Sequence, residues 1–152
     1  MSKSSENEVI KSYLNIKNRI IFDESNDISA NDYLLFLTVL EKGFLTDLNE
    51  KAITSSALAY FLGKSKPALT KQSKKLIKKG YLKKEKNDID KRNRFIILTP
   101  LALDILYNNK ILETANLLVE KLGEEDTNEL IRLMTKIDAI FKEVDREKNH
   151  ED

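Results

Sequence analysis

The sequence predicts a mainly α chain with a small β wing, and three observations carry that expectation. Glycine and proline are scarce, four and two in 152 residues, and almost every one reads as a helix boundary. Apolar residues recur at helical spacing, and the strand-like runs are two short ones around residues 81–85 and 94–98. Charge is sharply polarised. Lys64 to Arg94 holds thirteen Lys or Arg and three acids (Glu85, Asp88 and Asp90), a net +10, while the rest of the chain sums to −9. A basic block against an acidic body is the electrostatic footprint of a nucleic-acid reader, although a basic run is also a common solvated helix face. The order of elements inside the block, a capped helix and then two strands around a basic turn, favours the reader.

Taken in order, the first helix runs from about Glu8 to Phe22, with Ile10, Tyr13, Ile16 and Ile20 at helical spacing and Leu14 and Ile21 widening the stripe. Asp23 to Ile28 is a polar connection. A second helix spans about Ser29 to Lys42, capped by Ser29 or Asn31, with Leu34, Leu37 and Leu40 on its apolar side and Phe36 beside them. A third, short helix follows Thr54 and carries Ala57, Leu58, Phe61 and Leu62. The fourth covers about Lys66 to Lys79. At 100° per residue Leu69, Ser73, Leu76 and Ile77 fall on one side of it, and Pro67, Lys71, Lys74, Lys75 and Lys78 on the other. It therefore docks by one narrow stripe and turns a lysine face outward.

Tyr81–Glu85 and Arg94–Leu98 read as strands joined by the polar turn 86–93. Two long helices follow, about Pro100 to Leu122 and Glu125 to Glu147, the second with a near-heptad seam of Leu130, Leu133 or Met134, Ile137, Phe141 and Val144. Gly43, Gly63, Gly80 and Gly123 each follow a helix-like stretch, where positive φ closes the last turn, and Pro67 and Pro100 sit just after the capping residues Ser65 and Thr99. The expected organisation is an N-terminal dimerisation helix (1–28), a DNA-binding domain (29–99) and C-terminal dimerisation helices (100–152). Apolar seams are often plain core. Here three striped helices exceed what the small central core can cover, which points to a subunit interface through Ile10, Tyr13, Ile16, Ile20, Leu130, Met134, Ile137, Phe141 and Val144.

Composition narrows the function classes. With 41% hydrophobic residues there is enough for a core in one domain with helical extensions, yet no apolar run approaches the ~20 residues of a membrane span. Residues 1–7 hold no apolar region of a secretory signal. The absence of cysteine removes disulfides, thiolate metal sites and thiol redox sensing, so a reducing cytoplasm is the natural home. The single histidine, His150, stands in a polar tail expected to fray. No metal or cofactor is expected, and no His, Cys or paired-acid constellation argues for an enzyme.

Three helices and a two-stranded wing make a winged helix-turn-helix, and here the chain resembles the MarR-type regulators of bacteria over nearly its whole length. Ile53-Thr54-Ser55-Ser56-Ala57-Leu58-Ala59 resembles the helix that braces the reader in that family. Gly63 to Lys71 resembles the turn and the start of the recognition helix, and Leu76-Ile77-Lys78-Lys79-Gly80-Tyr81-Leu82 its exit. The most specific piece is Asp90-x-Arg92 followed at the family's spacing by Leu98-Thr99. One departure is Ala102, where the family has glycine three residues after that threonine; alanine makes a cleaner helix start.

An α-helix fits the major groove and its first turns reach base edges, which puts Ser65, Lys66, Pro67, Ala68, Thr70 and Lys71 in the best positions. Gln72 and Lys74 are candidates for bases or phosphate, and Lys75, Lys78 and Lys79 for charge or for simple solvation. Ser55 and Ser56, at the start of the third helix, are candidates for phosphate through hydroxyl and amide. In the wing, Lys91, Arg92 and Arg94 supply cations. The resemblance implies that Arg92 and Arg94 enter the minor groove, where narrow A·T-rich stretches concentrate negative potential. Asp90 is expected to hold Arg92 or a lysine by a charge-assisted hydrogen bond, or else to shape the turn.

The resemblance further implies a homodimeric repressor on a pseudo-palindromic double-stranded operator, released by a small-molecule effector, a hydrophobic or phenolic anion being the family default and the absence of any sensor the alternative. The competing reading is a winged module for nonspecific DNA binding or protein interaction, as in plasmid maintenance or chromosome packaging. A basic amphipathic helix on a membrane ranks last, because its apolar side lacks Trp and Phe and the wing has no role there.

Overall fold

The computed structural model describes residues 3–24 and 27–151, the side chains of Lys3, His150 and Glu151 excepted. Of the polar tail expected to fray, residues 147–151 continue the last helix, while Asp152 and, in the 23–28 connection, Ser25 and Asn26 lie outside the described residues. The chain divides into two compact units, Met1–Leu112 and Glu113–Asp152. The elements are α1 (Lys3–Lys17), α2 (Ala30–Lys42), β1 (Phe44–Leu45), β2 (Lys51–Thr54), α3 (Ser55–Leu62), α4 (Lys66–Lys78), β3 (Leu82–Glu85), β4 (Phe95–Leu98), α5 (Pro100–Asn108) and α6 (Lys110–Glu151). No described helix is long and apolar enough to cross a membrane. The mostly helical winged architecture expected from the sequence is the one observed.

The first unit is built on one core. Leu35, Phe36, Val39, Leu58, Leu76, Leu82, Ile96 and Leu106 are almost wholly removed from water, and α2 packs on α3, α5, β2 and β4. The sheet is antiparallel in the order β1-β2-β4-β3, so β4 sits between β2 (Ile53↔Ile96) and β3 (Lys84↔Ile96). Caps fix the helix starts. Ser29 and Asp32 form a reciprocal capping box on α2, and Thr54, Ser65 and Thr99 cap α3, α4 and α5. Thr99 does more than cap. Its Oγ1 lies 2.7 Å from the Gly80 carbonyl and 3.0 Å from that of Tyr81, tying the start of α5 to the exit of α4. Gly80 makes that exit with φ +86, a conformation a side chain would strain. Ala102 is fully buried and donates its amide to Thr99 (3.4 Å), so a methyl group fits where the resemblance leads one to expect glycine.

Several expectations are corrected. The first helix ends at Lys17, and the Arg19 amide bonds back to Ile16 (2.9 Å); Ile20 and Ile21 thus follow the helix, and Phe22 meets Tyr33 edge-on at 5.5 Å. The sheet has four strands where two were expected, because β1 and β2, two and four residues long, are too short to show alternation. Helix α2 buries Tyr33, Leu35, Phe36 and Val39, while Leu34 and Leu37 are exposed. It is apolar almost all round, so periodicity leaves its phase open. In α3, Leu58 and Ala59 are buried and Phe61 is exposed.

Gly43 is extended (φ −72), not left-handed; an added Cβ there would stand 2.4 Å from the Val39 carbonyl oxygen and 2.8 Å from that of Ala52. Close approach of β2, not positive φ, requires glycine. The helix expected from Pro100 to Leu122 breaks at Asn109, whose buried side chain donates to the Asp23 carbonyl (3.0 Å) and accepts the Asp23 amide (3.3 Å). A partner 86 residues away gives no local signal.

In the second unit, Gly123 (φ 80, ψ 175) interrupts α6 ahead of the acidic run Glu124-Glu125-Asp126. Leu130, Met134, Ile137, Phe141 and Val144 are all exposed, as are Ile10, Tyr13, Ile16 and Ile20 in the first unit.

Candidate nucleic-acid interface

The site begins with the way α4 is docked. Leu69, Ser73 and Leu76 are buried, which turns Lys66, Pro67, Thr70, Lys71 and Lys74 outward together on one open face. The Ser65 hydroxyl accepts the Ala68 amide (3.3 Å) and Pro67 stands in the first turn, so the end of the helix that carries these residues is well formed. Ala68 is exposed as well. Among the described residues no acid lies within ion-pair distance of Lys66, Lys71, Lys74, Arg92 or Arg94, whereas Lys79 is paired with Asp27 (2.7 Å) and Lys83 with Glu50. The face and wing singled out from the sequence thus carry cations free of acid partners.

The other side of α4 carries a polar strut that sequence reasoning missed. Gln72 donates from Nε2 to the carboxylate of Asp32 (2.9 Å), and its Oε1 accepts from Lys64. Its amide is spent inside the protein, which corrects its reading as a base or phosphate contact. Asp32 is 3% exposed. Burial would raise its carboxyl, but the hydrogen bonds from Gln72 and Ser29, with the Lys75 charge nearby, hold it below the usual range. Lys75 is exposed but borders a recess with Glu24, Asp27 and Ser29, away from the Lys66–Lys74 face. The Lys79 hydrogen bond and charge, together with Lys75, likewise lower the Asp27 carboxyl.

The wing packs its base against α3. Ser55 and Ser56 are half-buried, and three of their donors are already used: the Ser55 amide bonds the Arg94 carbonyl (2.8 Å), the Ser55 hydroxyl bonds Asn93 Oδ1 (3.0 Å) and the Ser56 amide bonds the same oxygen (2.9 Å). Thr54 takes the next amide, that of Ala57 (3.3 Å). The first three amides of α3, normally orphans open to an anion, are satisfied by the wing and the cap, which corrects the expectation of phosphate binding through these amides and leaves the Ser56 hydroxyl as the remaining candidate donor. Asn93 was missed because its partners lie 37 and 38 residues away.

Asp90 accepts the Arg92 backbone amide at 3.1 Å and forms no ion pair with the Arg92 guanidinium, so it shapes the turn and does not clamp the side chain. Lys91, Arg92 and Arg94 are exposed. Arg92 meets α4 across a narrow cleft of about 90 Å3, lined among others by Ser55, Lys66, Thr70, Ser73 and Lys84. Lys84 was also overlooked, although strand alternation puts it on the same side as buried Leu82. The Ser73 hydroxyl is buried with no hydrogen-bond partner among the described residues. No group of three or more His, Cys, Asp or Glu able to hold a metal occurs among the described residues.

Residues 48–93 match the model of the MarR family. No curated protein matches the chain. Among solved structures, AbsC, a MarR family transcriptional regulator from Streptomyces coelicolor, superposes with a TM-score of 0.61 at 19% identity, covering 91% of this chain and 95% of that one. A MarR mutant from E. coli complexed with operator DNA gives 0.59 at 20% identity, covering 86% and 91%. NadR in complex with 4-hydroxyphenylacetate gives 0.57 at 20% identity, covering 88% and 86%. The resemblance read from the brace, the recognition helix and the wing is borne out by the family match over the winged segment and by the fold of the whole chain.

Proposed function

We propose, with the MarR-family segment at residues 48–93 as premise, that this chain is a sequence-specific double-stranded DNA-binding transcriptional regulator. It acts as a homodimeric repressor on a pseudo-palindromic operator. The observation that carries the reading is the meeting of two unpaired cationic surfaces, the Lys66–Lys74 face of α4 and Arg92 of the wing, on either side of one cleft. Helix α4 enters the major groove, with Ser65, Lys66, Pro67, Ala68, Thr70 and Lys71 at base edges and Lys74 on phosphate. Lys91, Arg92 and Arg94 reach the adjacent minor groove. Lys75 adds charge at the margin.

The exposed apolar residues of α1 and α6 support the dimer, in which 1–28 and the C-terminal helices form the interface. Because α5 buries Ala102 and Leu106 in the first core, the interface share of 100–152 falls on α6. The operator complex of the E. coli relative and the 4-hydroxyphenylacetate complex of NadR support DNA as partner and a small organic anion as effector. No catalytic role is assigned. A cytoplasmic, nucleoid-associated location accords with this reading.

The test is selection of duplexes from a random-core pool by the full chain, followed by affinity on the enriched sequence and on scrambled duplexes of equal length. A strong preference for an enriched two-fold sequence is expected, and equal affinity throughout would favour the nonspecific winged module instead. Deleting residues after Glu125 should leave monomeric or aggregated protein with much weaker binding; a soluble truncated chain of full affinity would remove the dimer.

A further inference from the structure

The wing loop has almost nothing apolar to hold it. Ile89 at its tip is 99% exposed, and residues 88–92 are all open to water. Its order comes from a chain of polar bonds. Asn87, 8% exposed, accepts the amides of Ile89 (3.1 Å) and Asp90 (3.2 Å). Asp90 accepts the amide of Arg92 through its carboxylate and that of Asn93 through its carbonyl, both at 3.1 Å. Asn93 then leaves the loop and fastens it to α3, one amide oxygen accepting from the Ser55 hydroxyl and the Ser56 amide.

We propose that Asn93 is the positioning residue of the wing, latching the loop to the first turn of α3 so that Arg92 stands at a fixed place beside α4. The inference rests on the DNA-reading function proposed above and deepens it. A loop ordered before binding spares the cost of ordering it on DNA, and a cation in a groove gains from placement as well as from charge. Asparagine suits the place because its carbonyl oxygen takes two donors without adding negative charge to a surface that faces phosphate. Aspartate would accept the same two bonds but add that charge.

The experiment uses the full chain and duplexes enriched by the wild type from a random-core pool, resynthesised with A·T or G·C flanks. Asn93→Ala should bind the A·T-flanked duplex roughly tenfold more weakly and the G·C-flanked one nearly as well as wild type. In an Arg92→Ala background the same substitution should cost nothing further, since its effect runs through Arg92. Asn93→Asp should keep the A·T preference while binding both duplexes more weakly. A second measurement needs no DNA: amide hydrogen exchange at Ser56 should accelerate in Asn93→Ala.

Unchanged exchange at Ser56 overturns the latch. A preference for A·T flanks that survives Asn93→Ala, or a penalty that persists in full without Arg92, overturns the positioning role. A wild-type chain that enriches no sequence while Ser56 still responds would instead overturn the regulator reading and leave the latch standing.

Discussion

The outward face of α4 and the loop between β3 and β4 both present cations without acid partners, yet they are held by opposite means. Helix α4 is anchored by Leu69 and Leu76 in a core shared with α2 and the sheet, with one polar strut from Gln72 to Asp32. The wing loop is anchored by polar bonds to the side chains of Asn87, Asp90 and Asn93, from backbone amides and the Ser55 hydroxyl. Apolar docking is nondirectional and large in energy; the polar chain is directional and modest, about 1 kcal/mol net per bond. On the proposed reading, a helix that enters the major groove needs a platform that does not yield, whereas an arm that reaches a groove edge needs aim more than strength. The contrast predicts which changes abolish binding and which only redirect it.

The largest effect belongs to the platform. Leu76→Ala removes a fully buried side chain beneath the lysine face and should cost about 2–5 kcal/mol of stability, with DNA binding lost over the same temperature range. Denaturant melts check this, and a loss under 1 kcal/mol would mean that α4 is not anchored by this stripe.

Next come the cations themselves. Lys71→Ala should cost roughly 1–3 kcal/mol on the operator and relax preference at one position per half-site. Arg92→Ala should weaken binding mainly where flanks are A·T-rich, and each lost phosphate contact should lower the salt slope by about 0.9. In a dimer every substitution occurs twice, so losses approach double. Salt titrations on A·T- and G·C-flanked operators distinguish the two, and an Arg92→Ala variant that binds both flanks like wild type would make the wing an ornament.

The smallest effect concerns the strut. The Asp32 carboxyl is held below its ordinary range when folded, so its contribution is complete above the unfolded value near 4 and disappears as pH falls through the lower folded value. Asp32→Asn should therefore be less stable than wild type by about 1–2 kcal/mol at neutral pH, the gap closing in strong acid. Urea melts across pH give the answer. A gap that widened on acidification would contradict the sign of the shift.

Much of this architecture is a local property of the chain. Ser29, Thr54, Ser65 and Thr99 each bond an amide three residues ahead, and Leu69, Ser73 and Leu76 share a stripe because of the helical repeat. Such patterns involve neighbours within one or two turns, which is why α4, its lysine face and the basic wing turn were legible from residues alone. What remained hidden involves partners far apart in sequence. Gln72 is an ordinary exposed-looking polar residue until Asp32, 40 residues earlier, is brought beside it. Asn93 is one more turn residue until α3 offers two donors, and Asn109 breaks a helix that its neighbours would continue because Asp23 needs its amide. Polar side chains carry no periodicity that announces such bonds, and their roles are decided only when the core closes and sets distant donors and acceptors within 3 Å of them.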